Sequence, residues 1–229
     1  ELYRQITDYP WFEWITHDTP ISIRSRGKSS IFHNTQFLTL KVKDAIIDNI
    51  RRKTKRRPDI DKENPIYSLF VFVDKDRVWI YLNSSGASLS KRGYRDKIHK
   101  ASLNEALAAG LVLLSGWKSD QPFYDPMCGS GTIPIEAAMI GRNIPGGYYR
   151  KEYGFQKWKN YNPRLWNTIV KESKEKILLD RLRIFGSDNM SANIDLASNN
   201  IRKILMKQWI KISKKEFSEF SPKEDGGVV

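Results

Sequence analysis

The chain has 229 residues, 40% of them apolar and 12% aromatic, which suits one large or two modest packed domains and excludes an unstructured chain. Lys and Arg outnumber Asp and Glu by 39 to 26, and the formal net charge of +13 points to a polyanionic partner, RNA or DNA before a membrane. The single cysteine, Cys128, excludes an internal disulfide and a cysteine-rich zinc site, fits a reducing cytoplasmic setting and implies no metal.

The opening ELYRQITDYP has neither the basic nor the apolar region of a signal peptide, and it lacks a starting methionine, as an excerpt of a longer polypeptide would. No apolar run approaches the roughly 20 residues of a membrane span. Residues 20–26 (PISIRSR) alternate apolar and basic side chains and predict a half-exposed strand. Thr39–Ile50 predicts a helix with Leu40, Val42, Ala45, Ile46, Ile47 and Ile50 on one broad face, stopped by Pro58. Ile66–Val73 and Val78–Leu82, joined by DKDR, predict an antiparallel hairpin. Together these elements describe a small α+β module over residues 1–90.

From residue 91 the pattern changes. Ser102 with Glu105 three residues on reads as a capping box ahead of an apolar helix to Ser115. A strand (Pro122–Asp125), a small-residue turn and a helix (Thr132–Ile140) follow. Beyond them lie a strand (Leu182–Asp188), a helix (Ala192–Leu205) and a third strand (Gln208–Ile212). Alternation of strand and helix predicts an α/β domain with a parallel sheet over residues 91–229, the boundary lying in the polar stretch 87–100. Residues 142–180 form an insertion too long for an ordinary crossover, aromatic and basic in its first half. It suits a packed lid or an RNA surface.

In an open parallel sheet, ligands lie beyond the carboxyl ends of the strands, so the turn DPMCGSGT at 125–132 is the default site. Gly129 and Gly131 admit close backbone approach, and the N–H groups opening the next helix attract a carboxylate. Asp125 at the same end repels a phosphate, and no lysine follows the glycines as in a P-loop. A zwitterion fits better, its ammonium near Asp125 and its carboxylate at the helix. Asp188, ending the next strand, is placed to accept ribose hydroxyls. Amino acid and ribose in one ligand point to S-adenosylmethionine.

With these residues the chain resembles the RNA methyltransferases that carry a THUMP domain. The resemblance rests on DPMCGSGT, on GSDNMSANIDLASNNIRK, on LSKRGYRDKIHKASLNEALAAGLVLLSGW and on IRRKTKRRPDID. It is closest to the branch that methylates the 2-amino group of guanine in bacterial 23S rRNA. It implies a partial THUMP module followed by the first strands of a Rossmann-like S-adenosylmethionine-dependent fold. It also implies that Asp125, Pro126, Cys128, Gly129, Ser130, Gly131 and Thr132 line the methionine moiety, that Asp188 binds the ribose, and that Asn189 and Glu216 flank the adenine. Glu105 matches a glutamate that approaches the cofactor, or else caps its helix. Cys128 reads as a small buried residue rather than a nucleophile. An action on tRNA guanine, or RNA binding without catalysis, would share every one of these motifs.

The family presents its target amine to an Asn-Pro-Pro-Tyr type loop after a fourth strand. No Pro-Pro occurs here, and EDGGVV reads as the opening of that strand. The catalytic residues are therefore expected just after Val229, and the 229 residues alone are expected to be inactive. For RNA, Arg51, Arg52, Lys53, Lys55, Arg56 and Arg57 crowd a helix end. Lys91, Arg92 and Arg95 form a second cluster. The aromatic and basic residues Tyr148–Lys159 form a third. His17, His33 and His99 have no ligand spacing.

Overall fold

The structure, a computed structural model, describes residues 1–95, 102–179, 181–222, 224 and 226–229. His99, the end of the 87–100 stretch and Asp180 at the end of the insertion lie outside the described residues. The chain forms two compact units, Glu1–Ala87 with Glu152–Pro163, and Ser88–Lys151 with Arg164–Val229.

In the first unit a short helix α1 (Leu2–Asp8) precedes strand β1 (Ile21–Lys28) and the long helix α2 (Thr35–Thr54). Strands β2 (Tyr67–Asp74) and β3 (Arg77–Leu82) complete a sheet of order β1-β2-β3, parallel across β1–β2 and antiparallel across β2–β3. α2 begins four residues earlier than its apolar face suggests, because the Asn34 side chain accepts from Gln36 N at 2.7 Å and caps it. The early start places Leu38, with Val42, Ala45, Ile46 and Ile50, at helical spacing in the core, and all five are fully buried. Leu40, predicted for that face, points away and is exposed. The helix ends at Lys55, which turns left-handed at φ 60°, ahead of Pro58. Asn49 joins α2 to α1 through the Thr7 carbonyl at 2.7 Å.

In the second unit α3 (Glu105–Leu114) leads to β4 (Phe123–Asp125), α4 (Thr132–Gly141), α5 (Pro163–Glu175), β5 (Ile184–Asp188), α6 (Ser191–Lys203) and β6 (Ile210–Lys214). The three strands run parallel in the order β4-β5-β6. α3 is capped by Asn104, whose side chain accepts from the amides of Ala106 and Leu107, not by Ser102 as the capping-box pattern predicts. Ile135, Ala138 and Met139 of α4 and Ile201 of α6 bury against Phe123, Ile184 and Ile210 of the strands. Each buried isoleucine or methionine among them contributes roughly 1.5–3 kcal/mol. Val228 pairs in parallel with Phe123, and Tyr124 N donates to its carbonyl at 2.8 Å, on the edge of β4 away from β5. No helix among the described residues is long and apolar enough to cross a membrane.

The insertion is shared between the units. Tyr149 stays with the second, its hydroxyl donating to the Ile204 carbonyl at 3.3 Å. Residues 152–163 pack in the first, where the Trp158 ring stacks on Tyr67 with centroids 5.9 Å apart. Tyr148–Lys159 is thus divided between the two units. Within the first unit Lys159 is taken up by the Glu13 carbonyl and the Trp14 ring.

Candidate cofactor site at the carboxyl end of the parallel sheet

The turn between β4 and α4 is fastened to the end of β5. Cys128 N donates to the Ser187 carbonyl at 2.8 Å, and Gly129 N donates to Asp188 Oδ2 at 3.0 Å. Gly131 caps α4 at φ 79°, and a Cβ there would stand 3.1 Å from that of Ala197 on α6. Gly186 is closely packed, since a Cβ would meet Ile212 Cδ1 at 2.7 Å and Cys128 Cβ at 3.1 Å, and both would have to give way. Small residues at these points let the turn lie flat against β5 and α6.

Asp125 and Asp188 close the ends of adjacent strands. Burial, with the Asp188 charge adding to it and the Met127 amide opposing it, pushes the Asp125 carboxyl up to about 6. Asp188, almost fully buried, accepts from Gly129 N through Oδ2 and from Met190 N (2.9 Å) and Asn193 Nδ2 (3.0 Å) through Oδ1. A carboxylate offers about four lone-pair directions, so three protein donors leave room for about one hydroxyl rather than two. Holding the turn is thus part of this residue's work. Asn189 and Glu216 come together beyond it, with Nδ2 to Oε2 at 3.4 Å, both exposed.

Cys128 is 6% exposed, and burial, with the Asp125 and Asp188 charges behind it, pushes its thiol up to about 12. It is a neutral packing residue. Ser130 and Thr132 are buried, their hydroxyls 3.3 Å apart. Asn200, on the buried face of α6, donates to the Ser130 carbonyl at 3.1 Å. Asn193 and Asn200 are missed from sequence because asparagine on an amphipathic helix looks like surface. The usable signal is Asn200 standing beside the apolar Ile201.

The KRGYR segment corrects an expectation. The sequence groups Arg92 and Arg95 with Lys91 as RNA contacts, yet the Arg95 side chain is 4% exposed and lies 3.8 Å from Glu105 Oε1. Arg95 also donates to the Leu103 carbonyl and to Thr132 Oγ1, at the start of α4. Arg92 pairs with the buried Glu136 of α4 at 3.4 Å, and the Tyr94 hydroxyl donates to the same carboxylate at 3.1 Å. Burial raises the Glu136 carboxyl, and Arg92 and Tyr94 oppose the shift. These two cations brace α3 and α4 behind the 125–132 turn, because a carboxylate buried without a partner is costly. Glu105 faces Arg95, while the cap of its helix is Asn104. Of the cluster only Lys91 is exposed. Arg51, Arg52, Lys53, Lys55, Arg56 and Arg57 stand at the end of α2, and all six are exposed.

The family described as RMKL-like, methyltransferase domain, matches residues 92–229, and the THUMP domain matches residues 1–83. The Ribosomal RNA large subunit methyltransferase K/L of Shewanella frigidimarina is 33% identical over all of this chain, which spans 33% of that relative. Two solved chains align closely, and this chain spans 60% of each. A predicted N6-adenine-specific DNA methylase from Listeria monocytogenes has TM-score 0.89 and 32% identity, with all of this chain covered. SMU.472, complexed with SAH, has TM-score 0.88 and 28% identity, with 99% of this chain covered. The second unit is a Rossmann-like methyltransferase fold with a parallel sheet, and the chain belongs to the RMKL-like methyltransferase family, with a THUMP domain ahead of the methyltransferase domain.

Proposed function

We propose that this chain holds the cofactor and engages the RNA in an S-adenosylmethionine-dependent methyltransferase acting on the 2-amino group of a guanine in 23S rRNA. The observation that carries the reading is the turn 125–132, pinned by Asp188 at the carboxyl ends of two parallel strands. The donor set fits the cofactor. Asp125 offers a half-buried anion to an ammonium, and the first amides of α4 have no intrahelical acceptor and suit a carboxylate. Asp188 has about one acceptor direction left for a ribose hydroxyl, and the Asn189–Glu216 pair offers a donor and an acceptor to a purine edge. When bound, S-adenosylmethionine supplies a methyl group on a sulfonium sulfur. The residues here bind and orient it, and the struts Arg95 and Arg92 keep the turn in place.

RNA as the substrate is supported by the THUMP match, by the rRNA methyltransferase relative and by the cations Arg51–Arg57 at the end of α2. The chain spans 33% of the rRNA methyltransferase relative, and we assign the reaction to the whole protein and cofactor binding to this chain. Two measurements test the reading. Isothermal titration of the chain with S-adenosylhomocysteine should give one site, weakened by Asp125→Ala. The whole protein, given radiolabelled S-adenosylmethionine, should label guanine in 23S rRNA. No binding overturns the cofactor reading, and label in tRNA or in DNA adenine overturns the substrate.

A further inference from the structure

The sheet of the first unit has one face covered by α1 and α2 and one face open. Alternation along the strands puts Arg24, Arg26 and Lys28 of β1 on the open face, beside Phe70 and Phe72 of β2, which in turn pair with Tyr81 and Trp79 of β3. Phe70, Phe72 and Tyr81 are 37%, 36% and 50% exposed, and the three cations are exposed as well. The Phe72 and Trp79 rings lie 5.8 Å apart and tilted by 33°. Single exposed rings are ordinary, whereas four adjoining across two strands are a patch that water disfavours. No carboxylate among the described residues lies within 4.0 Å of the amino or guanidinium nitrogens of Arg24, Arg26 or Lys28. Asp74 and Arg77 close the far end of the face.

We propose that this open face is a binding platform for single-stranded RNA, with bases stacked on Phe70, Phe72, Trp79 and Tyr81 and phosphates held by Arg24, Arg26 and Lys28. Rings two residues apart on a strand are about 6.8 Å apart, too far for a continuous base stack and right for splayed bases, one to a ring. The cations run along the neighbouring strand, about 4.8 Å away, where the backbone of such a strand would pass. A second copy of this chain would bring the same uncompensated cations to the interface, so it is a poor occupant. At the start of β1 and β2 the same face opens into a cavity of about 310 Å³. Ser22 and Ser68, joined hydroxyl to hydroxyl at 3.0 Å, line it with Asn83, Lys62, Lys157 and Glu63. Its volume suits one nucleoside, with hydroxyl, amide and carboxylate groups for a base edge and lysines for a phosphate.

The proposal rests on the RNA reading above for its occupant, and it adds a site that the cations of α2 do not include. Fluorescence anisotropy of a labelled ten-nucleotide single-stranded RNA, titrated with the chain, tests it. Phe70→Ala with Phe72→Ala should weaken binding at least about 10-fold, with a cooperative melting transition retained and the S-adenosylhomocysteine titration unchanged. Arg24→Ala with Arg26→Ala should flatten the log-affinity against log-salt slope by about 1.4. If the double phenylalanine variant fails to fold, Tyr81→Ala, on the edge strand, carries the same expectation. Unchanged RNA affinity in a folded aromatic variant overturns the proposal, even where substitutions in α2 weaken binding. Sedimentation showing dimers that the same variants dissolve also overturns it, in favour of a second copy. Neither result touches the cofactor reading, which fails only if S-adenosylhomocysteine does not bind.

Discussion

The two units of this chain use their cations in opposite ways. In the first, Arg51, Arg52, Lys53, Lys55, Arg56 and Arg57 stand toward water at the end of α2. In the second, Arg92 and Arg95 turn inward to Glu136 and Glu105, and Arg142, 8% exposed, lies 3.8 Å over the Trp209 ring. A net charge of +13 therefore does not locate a nucleic-acid surface. The inward Arg92 and Arg95 are offset by Glu136 and Glu105 and drop out of that total, so a phosphate surface has to be sought among the cations that face water.

The contrast can be broken most forcefully at Arg95. Arg95→Ala leaves Glu105 buried without its cation and should cost roughly 3–5 kcal/mol, read as a large fall in melting temperature. An unchanged melting curve would mean that the cation is not a strut. Asp125→Asn should act with the opposite sign. The Asp125 carboxyl rises from 3.8 to about 6 on folding, so the native state binds protons that the unfolded chain releases. Its contribution to stability is present below about pH 4 and lost as pH rises through about 6. At neutral pH the Asn variant should be more stable by about 1–3 kcal/mol, and the advantage should fade on acidification to about pH 4. The same variant should bind S-adenosylhomocysteine more weakly, so that stability and binding move apart. Gly186→Ala should cost roughly 1–3 kcal/mol, because its methyl group meets Ile212 and Cys128, and should loosen ligand binding with it. The smallest effect on folding is expected from replacing Arg51, Arg52, Arg56 and Arg57 together by alanine. Denaturant titration should show about 0.5 kcal/mol or less per site, while RNA affinity falls and its salt dependence flattens by about 0.7 for each phosphate no longer neutralised.

Much of the architecture is legible in the sequence because it is periodic. Both sheets, the β4–α4 turn and the placement of Asp125 and Asp188 at neighbouring strand ends follow from strand, small-residue turn and helix in succession. The inward cations are not legible, because their partners are set by folding. Glu136 lies far along the chain from Arg92, and nothing local distinguishes a buried arginine from an exposed one. The open face of the first sheet is hidden for another reason. IYSLFVFV is apolar at nearly every position, so its sequence does not tell one face of the strand from the other, and only the paired register shows Phe70 and Phe72 facing outward. The cap of α3 is misread because Ser102 and Asn104 are both good caps, and the choice depends on the backbone path before the helix.

Residues 152–163 complete the first unit although the chain reaches them only after passing through much of the second. On the ribosome this sets an order. The buried core from Ile6 to Val73 can assemble as soon as it emerges, whereas the Tyr67–Trp158 stack and the cavity wall at Lys157 are added only after the chain has passed through much of the second unit. A truncation that ends at Ala87 would keep that core and lose the Trp158 stack and the Lys157 wall.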